Sequence, residues 1–551
     1  MTCSKTSIEN LPEIASEIIQ YCRNDFSTLH SCILVNRLWC RLVIPILWED
    51  PFSIKSPKNH HIFNVTLSNL NDDDKAKLKE YKISSHLLFP LNTLFNYPSF
   101  IKCLSINKLV KFISDFVKKN TYSISSFPLL CYSYDCYKSE IFIFFSLIKL
   151  FIKNNANLHT LEFRTSDIFN LINGECFELI LQNPNFLCNI KNLSVIFDRC
   201  NIWEKIPPFF KFLCSNCNTI SSIYYQCQYN TDNTVFMDYI SQKINSQQIL
   251  YKILFDRSTL LLSSSLRNSN CLNFLNTIVF NNVDLSNTTF LNESFERLNV
   301  LESIHILNCI LSSNFIQQII NLTKPFKLRS LFTRENLQTE LLQLLLQKSG
   351  SYLENIGFES IYNDQLEQQL FEIKNYCNKI KFISLLEFDQ NIHSTINLIK
   401  DIKENLNYLS INFHGFYGFY NDIFIEFSSI ILLNLGQILP LKLKYLNLSL
   451  IITNTNDLEV FLRNSQNTFI NKLLIRCKIL DENMNILPYI EEYIMKKKRV
   501  NYLAIEERYN RISKDSPSLK TQAKKFESYN IKVQNYDDLY IQICDFVNEL
   551  Y

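Results

Sequence analysis

A short unit of the form L-x-x-L-x-L recurs along most of this chain, and its spacing constrains the fold more than any other feature. The second apolar position of the unit falls at Leu161, Leu193, Ile223, Ile253, Ile278, Ile304, Leu331, Ile356, Ile383, Leu409, Leu446, Leu473 and Leu503, with an outlying member at Leu104. The mean step from Leu161 to Leu503 is about 28.5 residues, near the upper limit of the shorter strand-and-helix repeats. Alternate residues of a strand point to one side. The paired Leu and Ile of each unit therefore face inward, and the next 15 or so residues return as a helix on the outer face. Thr339 to Lys348 (TELLQLLLQK) reads as such a helix, and the unit Leu301, Ile304, Ile306, Cys309 is the most complete. Stacked units bury one another's flanks, which predicts an open α/β solenoid with a curved parallel sheet and variable side chains on its concave face. The long step from Leu409 to Leu446 marks an insertion, and Ser518 to Tyr551 reads as a helix, strand and helix of a terminal cap.

Composition removes several alternatives. Only 6 of the 551 residues are glycine, and they assemble neither a G-x-x-x-x-G-K-S/T nor a G-x-G-x-x-G phosphate loop. Nucleotide-dependent chemistry is disfavoured on that ground, and no G-x-S-x-G elbow occurs. The net charge of +2 creates no field that would hold nucleic acid or an acidic membrane, so neither is expected as a partner. The 18 Cys lack framework spacing, and the start TCSKTSIENLPE lacks the apolar core of a secretory signal. Reduced thiols and a cytoplasmic or nuclear location are the expectation. The most apolar run, Ile141 to Ile152, is well short of the roughly 20 residues of a membrane span and carries Lys149.

Residues 11 to 50 read differently, with apolar positions at helical spacing. Three helices fit: one opened by Pro12 and Glu13, one capped by Asp25 or Ser27, and one from Asn36 that Pro45 should kink or shorten. So small a unit cannot hide all its apolar stripes, so a covering surface is expected.

The motifs Leu11-Pro12-x-Ile14, Leu29-x-x-Cys32-x-x-Val35, Val35-Asn36-Arg37-Leu38-Trp39 and Pro45-Ile46-Leu47-Trp48 together resemble an F-box of the fungal F-box-like type, over residues 9 to 50. The downstream repeats resemble leucine-rich repeats. Asn36 stands where Ser or Cys is more usual, and the register of the first helix departs slightly from the family pattern. The resemblance implies docking on a Skp-type adaptor, and through it a cullin, by Leu11, Pro12, Ile14, Ile18, Leu29, Val35 and Trp39. It further implies a substrate-recognition subunit of an SCF-type ubiquitin ligase that is not itself an enzyme, needs no cofactor and holds a target protein on its repeats. The domains expected are 1–50 (F-box), 51–98 (linker and start of the solenoid) and 99–551 (solenoid with cap). A repeat scaffold without a ligase role, its helical start merely capping the stack, stays open as the alternative.

Four further features carry chemistry. Cys214-Ser-Asn-Cys217, with Cys200 and Cys227 nearby, has the ligand count for zinc but lacks a second C-x-x-C or paired His, so buried structural thiols are expected. The segment NFHGFYGFY offers His414, Phe416, Tyr417 and Phe419 as a target-binding loop, with an aromatic cluster covering the insertion as the other reading. The pair His60-His61 looks exposed. Lys496 to Arg499 reads as a solvated helix end rather than a nuclear address.

Overall fold

A computed structural model of the chain describes residues 12–23, 25–52, 61–81, 93–121, 134–167, 175–198, 206–227, 241–244, 246–247, 249–257, 273–286, 288, 291–333, 337–359, 365–386, 392–413, 422–479, 485–509, 512–515 and 528–551. They form mixed α/β structure in two compact units, Met1–Ile253 with Leu260–Phe274, and Leu254–Thr259 with Leu275–Tyr551.

The first unit opens with three helices. In α1 (Pro12–Tyr21), Pro12 occupies a first turn whose amide would be unpaired in any case, and Glu13 faces the positive end of the helix dipole. Asp25 caps α2 (Phe26–Ile33), its carboxylate accepting from the Thr28 amide at 3.1 Å and the Thr28 hydroxyl at 2.6 Å. Asn36 caps α3 (Arg37–Leu47) by accepting from the Trp39 amide at 2.9 Å. Pro45 does not shorten α3, which continues to Leu47. The proline sits in the last turn, where it removes one internal hydrogen bond rather than a ladder of them.

The three helices close on Ile19, Leu29 and Val43, with Trp39, Leu42 and Ile46 packed around them. Their far end is welded to the repeats. The Glu49 carbonyl accepts from the amides of Lys102 and Cys103 at 3.0 and 2.9 Å, and its buried carboxylate pairs with Arg23 and Lys102. The Trp48 ring lies 4.2 Å from that of Tyr97.

Strands β1 (Cys103–Ser105), β2 (Thr160–Arg164), β3 (Asn192–Phe197) and β4 (Ser222–Cys227) pair in parallel in chain order. Leu104, Leu161, Leu193 and Ile223, equivalent in the sequence repeat, are direct register partners along this ladder. Helices Ile106–Thr121, Tyr134–Lys153, Glu175–Gln182 and Ile206–Asn216 separate the strands. The apolar run 141–152 lies inside Tyr134–Lys153 and buries Ile143, Phe144, Leu147, Ile148 and Phe151. Among the described residues no helix is long and apolar enough to cross a membrane. β5 (Lys252–Asp256) falls across the division between the units.

The second unit continues the pattern with β6 (Thr277–Asn281), β7 (Ser303–Leu307), β8 (Leu328–Thr333), β9 (Asn355–Glu359), β10 (Phe382–Leu386), β11 (Tyr408–Asn412), β12 (Lys442–Ile452), β13 (Phe469–Ile479) and β14 (Val500–Tyr509). All pair in parallel and in order. Leu331, Ile356, Ile383, Leu409, Leu446, Leu473 and Leu503 form one continuous register row, and every one of them is fully buried. Among the described pairings of this unit the row is interrupted once. Between β7 and β8 the register shifts after Ile304, so Leu331 pairs with Ile306 rather than with Ile304, its sequence equivalent.

Just beyond β5, β6 and β7 the residues Arg257, Asn282 and Asn308 adopt positive φ near 55°, and each donates its amide to the last or penultimate residue of the next strand. Asparagine tolerates that conformation with little cost. The outer edge of β14 is covered in two parts, by β16 (Lys532–Val533) along Tyr502–Leu503 and by antiparallel β15 (Ile512–Asp515) along Glu506–Tyr509.

One expectation is overturned here. The sheet face opposite the return helices does not lie open in the second unit: of the expected cap, β16 closes the edge of β14, but residues 536–551 run back across that face. The physical reason lies in their sequence. Ile543, Phe546, Val547 and Leu550 recur at helical spacing, and the helix Ile543–Leu550 turns Phe546 and Val547 down onto the strands.

Candidate functional site

Two surfaces stand out. The first is on the helices α1 to α3. Ile19 of α1 points into the bundle, while Ile14 and Ile18, one turn apart, point to solvent at 46% and 40% exposure. Val35, between α2 and α3, is 60% exposed and its neighbour Leu34 80%. Tyr21 and Phe26 are exposed as well. The bundle core is closed by other residues, so these side chains are surplus to its folding.

The residues expected to contact an adaptor divide accordingly. Pro12, Ile14, Ile18 and Val35 are exposed. Trp39 is half-buried against the core and Leu29, at 1% exposure, belongs to it, so Leu29 holds the helices together rather than facing outward. Leu11 lies outside the described residues.

The second surface is the covered sheet face. Reading across the strands, Ser330, Asn355, Phe382, Tyr408, Tyr445, Lys472 and Tyr502 form one register row, and Gly357, Ser384, Ser410, Asn447, Leu474 and Ala504 the next. The buried polar members bond to one another: Asn355 donates to Ser330 at 2.9 Å and Asn447 to Ser410 at 3.0 Å. Residues 536–551 contact this face through four aromatic rings. Tyr536 lies under the Arg476 guanidinium at 3.7 Å and donates to the Asn447 side-chain oxygen at 2.5 Å. Tyr540 stacks on Tyr536, and the Ile541 amide donates to the Tyr445 hydroxyl at 3.4 Å. Phe546 meets Phe382 and Tyr408 edge-on at 5.0 and 4.9 Å.

Tyr551 completes the set. Its ring lies 4.4 Å from that of His305, and its hydroxyl donates to Glu354 at 2.8 Å. Glu354 also pairs with Arg329 and Lys381, at 2.7 and 2.8 Å. Burial works against ionisation of the Glu354 carboxyl, but the hydrogen bonds from Lys381 and Tyr551 and the two cations hold it below its ordinary value. Burial, reinforced by the neighbouring carboxylate, pushes the Tyr551 phenol well up.

The other candidates resolve into structure. Cys214 and Cys217 lie at the end of helix Ile206–Asn216 with no disulfide; burial pushes the Cys217 thiol up to about 12, and its sulfur donates to the Leu187 carbonyl at 2.9 Å. Sequence reasoning missed Lys243, whose buried ammonium donates to the Leu213 carbonyl at 2.9 Å and to that of Cys217. Among the described residues no group of three or more His, Cys, Asp and Glu could hold a metal ion. Cys200, His60, His414, Phe416, Tyr417 and Phe419 lie outside the described residues, and His61 begins a helix, His61–Ser68.

The basic run 496–499 is not uniformly solvated. Lys496 pairs with Glu492 on the surface, but Arg499 is buried and donates to the carbonyls of Leu462, Ser465, Thr468 and Tyr493. Those carbonyls lie at the ends of two neighbouring elements, so the guanidinium locks one turn onto the next. No protein-family model matches the chain, and no curated protein matches it either.

Proposed function

We propose that this chain is the substrate-recognition subunit of an SCF-type ubiquitin ligase, with residues 9–50 acting as an F-box on a Skp-type adaptor and leucine-rich-repeat-like units carrying the target. The observation that carries the proposal is the exposure of Ile14, Ile18 and Val35 above a bundle core already closed by Ile19, Leu29 and Val43. Covering three such side chains contributes on the order of 5 kcal/mol, a substantial share of a micromolar interface. In this role the subunit offers no catalytic group of its own. Holding a target beside a charged ubiquitin carrier raises its effective concentration, which accelerates transfer by proximity alone.

The alternative of a scaffold without a ligase role draws support from a specific contact. The Glu49 carbonyl bonds to the amides at β1 and its carboxylate to Arg23 and Lys102, as a structural cap would. The two readings separate in one experiment, binding of the full chain to a purified Skp-type adaptor, with Ile14→Asp/Val35→Asp as the comparison. The ligase reading expects the wild type to bind and the double variant to bind at least 100-fold more weakly, with unfolding midpoints that agree. A wild type that fails to bind leaves the scaffold reading.

A further inference from the structure

We propose that the sheet face of β7 to β13 is a binding surface for a partner peptide bearing spaced aromatic residues, and that residues 536–551 are its intramolecular occupant. The argument begins with what lies beneath the segment. A buried polar group needs a partner, and a face that is uncovered for part of its life can meet that need with water. Here the covered positions include Ser330, Asn355, Ser384, Ser410 and Asn447. These polar positions alternate with the rings of Phe382, Tyr408 and Tyr445 and with Leu474 and Ala504, on which Tyr536 and Leu539 pack, so the uncovered face would offer an apolar centre for a partner to cover. It is flanked by the charged groups of Arg329, Glu354, Lys381, Arg476 and Glu506, giving the apolar centre and polar rim of a recognition surface.

The segment itself is attached as a ligand is. Of residues 536–551 only Tyr536, Leu539, Phe546 and Val547 are buried, and its ring contacts fall at Tyr536, Tyr540, Phe546 and Tyr551. A few aromatic anchors among solvated neighbours is the energetic pattern of an interface hot spot. The geometry also fits a strap. Six strand spacings separate β7 from β13, roughly 29 Å, and one helical turn, a short extended link and a two-turn helix span roughly 28 Å. Strand β16, still paired with β14, anchors its near end.

A tethered occupant competes at an effective concentration near millimolar, so a free partner binds only when it matches the same anchors or when the tether lets go. The recognised segment is therefore defined by chemistry: a tyrosine that donates to Asn447 under Arg476, a phenyl ring that fits between Phe382 and Tyr408, and a phenol that reaches Glu354. This inference does not depend on the adaptor reading.

The test uses a fluorescent peptide of residues 534–551 carrying Cys544→Ser, titrated into the full-length protein and into its Phe546→Asp/Tyr551→Ala variant. The variant is expected to bind the peptide at least tenfold more tightly than the wild type, and a peptide with Tyr536→Ala and Phe546→Ala is expected not to bind. A folded variant that fails to bind the unaltered peptide overturns the proposal. Hydrogen exchange on the wild type keeps the question open to refutation even where the variant does not fold. Amides of 543–551 should exchange at least 100-fold faster than those of β9 to β12, and equal protection would make the segment a core element and overturn the proposal.

Discussion

At the scale of single residues, the determinants of this fold are buried polar groups tied to carbonyls and carboxylates. Glu354 joins Arg329, Lys381 and Tyr551, and its carboxyl is held below the ordinary 4.5 by those donors against the opposing effect of burial. A carboxyl depressed in the folded state stabilises the protein above its unfolded value, and that contribution is lost as pH falls through the folded value. The wild type should therefore lose stability on acidification from pH 5 to pH 3 more steeply than Glu354→Gln. At pH 7 the variant should be less stable by about 1–3 kcal/mol, as expected for lost hydrogen bonds to a charge. Urea denaturation at several pH values measures both. Parallel curves for the two proteins would mean the carboxylate contributes no pH dependence. Residues of this kind were invisible in the sequence. Nothing near Lys243 or Arg499 marks one as a helix-end clamp and the other as a buried lock, because all but one of their acceptor carbonyls lie 26 to 37 residues away along the chain.

At the scale of elements, helix packing sets tighter limits than helix propensity. Gly436 lies in Asp422–Ile438 where that helix crosses Thr455–Asn464, and a Cβ added there would lie 2.7 Å from the Phe461 carbonyl oxygen and 3.0 Å from Asn464 Cβ. Alanine improves intrinsic helix stability by about 1 kcal/mol, but forcing two packed helices apart costs about 1–3 kcal/mol. Gly436→Ala is expected to be destabilising, with Gly436→Ser worse, as read from thermal unfolding midpoints. A stabilised alanine variant would mean the crossing yields easily.

The strands themselves were legible. A pair of apolar residues two apart, repeated at nearly constant spacing, fixes both the inward face and the register, and positions chosen from sequence alone became partners in almost every pairing. The shift between β7 and β8 was not, since it arises from an irregularity after Ile304 that leaves the pattern of Leu and Ile unchanged. The helical run Ile543 to Leu550 was legible as a helix and misplaced, because amphipathicity states that one face must be covered without naming the cover.

At the scale of the molecule, the two candidate surfaces belong to different compact units, one on α1 to α3 and one on β7 to β13. Sites that share no partner residues contribute independently. Ile14→Asp/Val35→Asp should leave peptide binding in the Phe546→Asp/Tyr551→Ala background within twofold of its value without the bundle changes. A change of tenfold or more would mean the two sites are coupled.

The ends of the strand ladders carry a further consequence. A stack of parallel rungs has no intrinsic stopping point, and its terminal backbone amides and carbonyls are templates on which another molecule could continue the series. Here the Glu49 carbonyl takes the amides at the start of β1, while β15 and β16 close the free margin of β14. At each of these positions the chain supplies the backbone or strand partner that a second molecule would otherwise provide, so the edges of β1 and β14 are occupied from within at those residues.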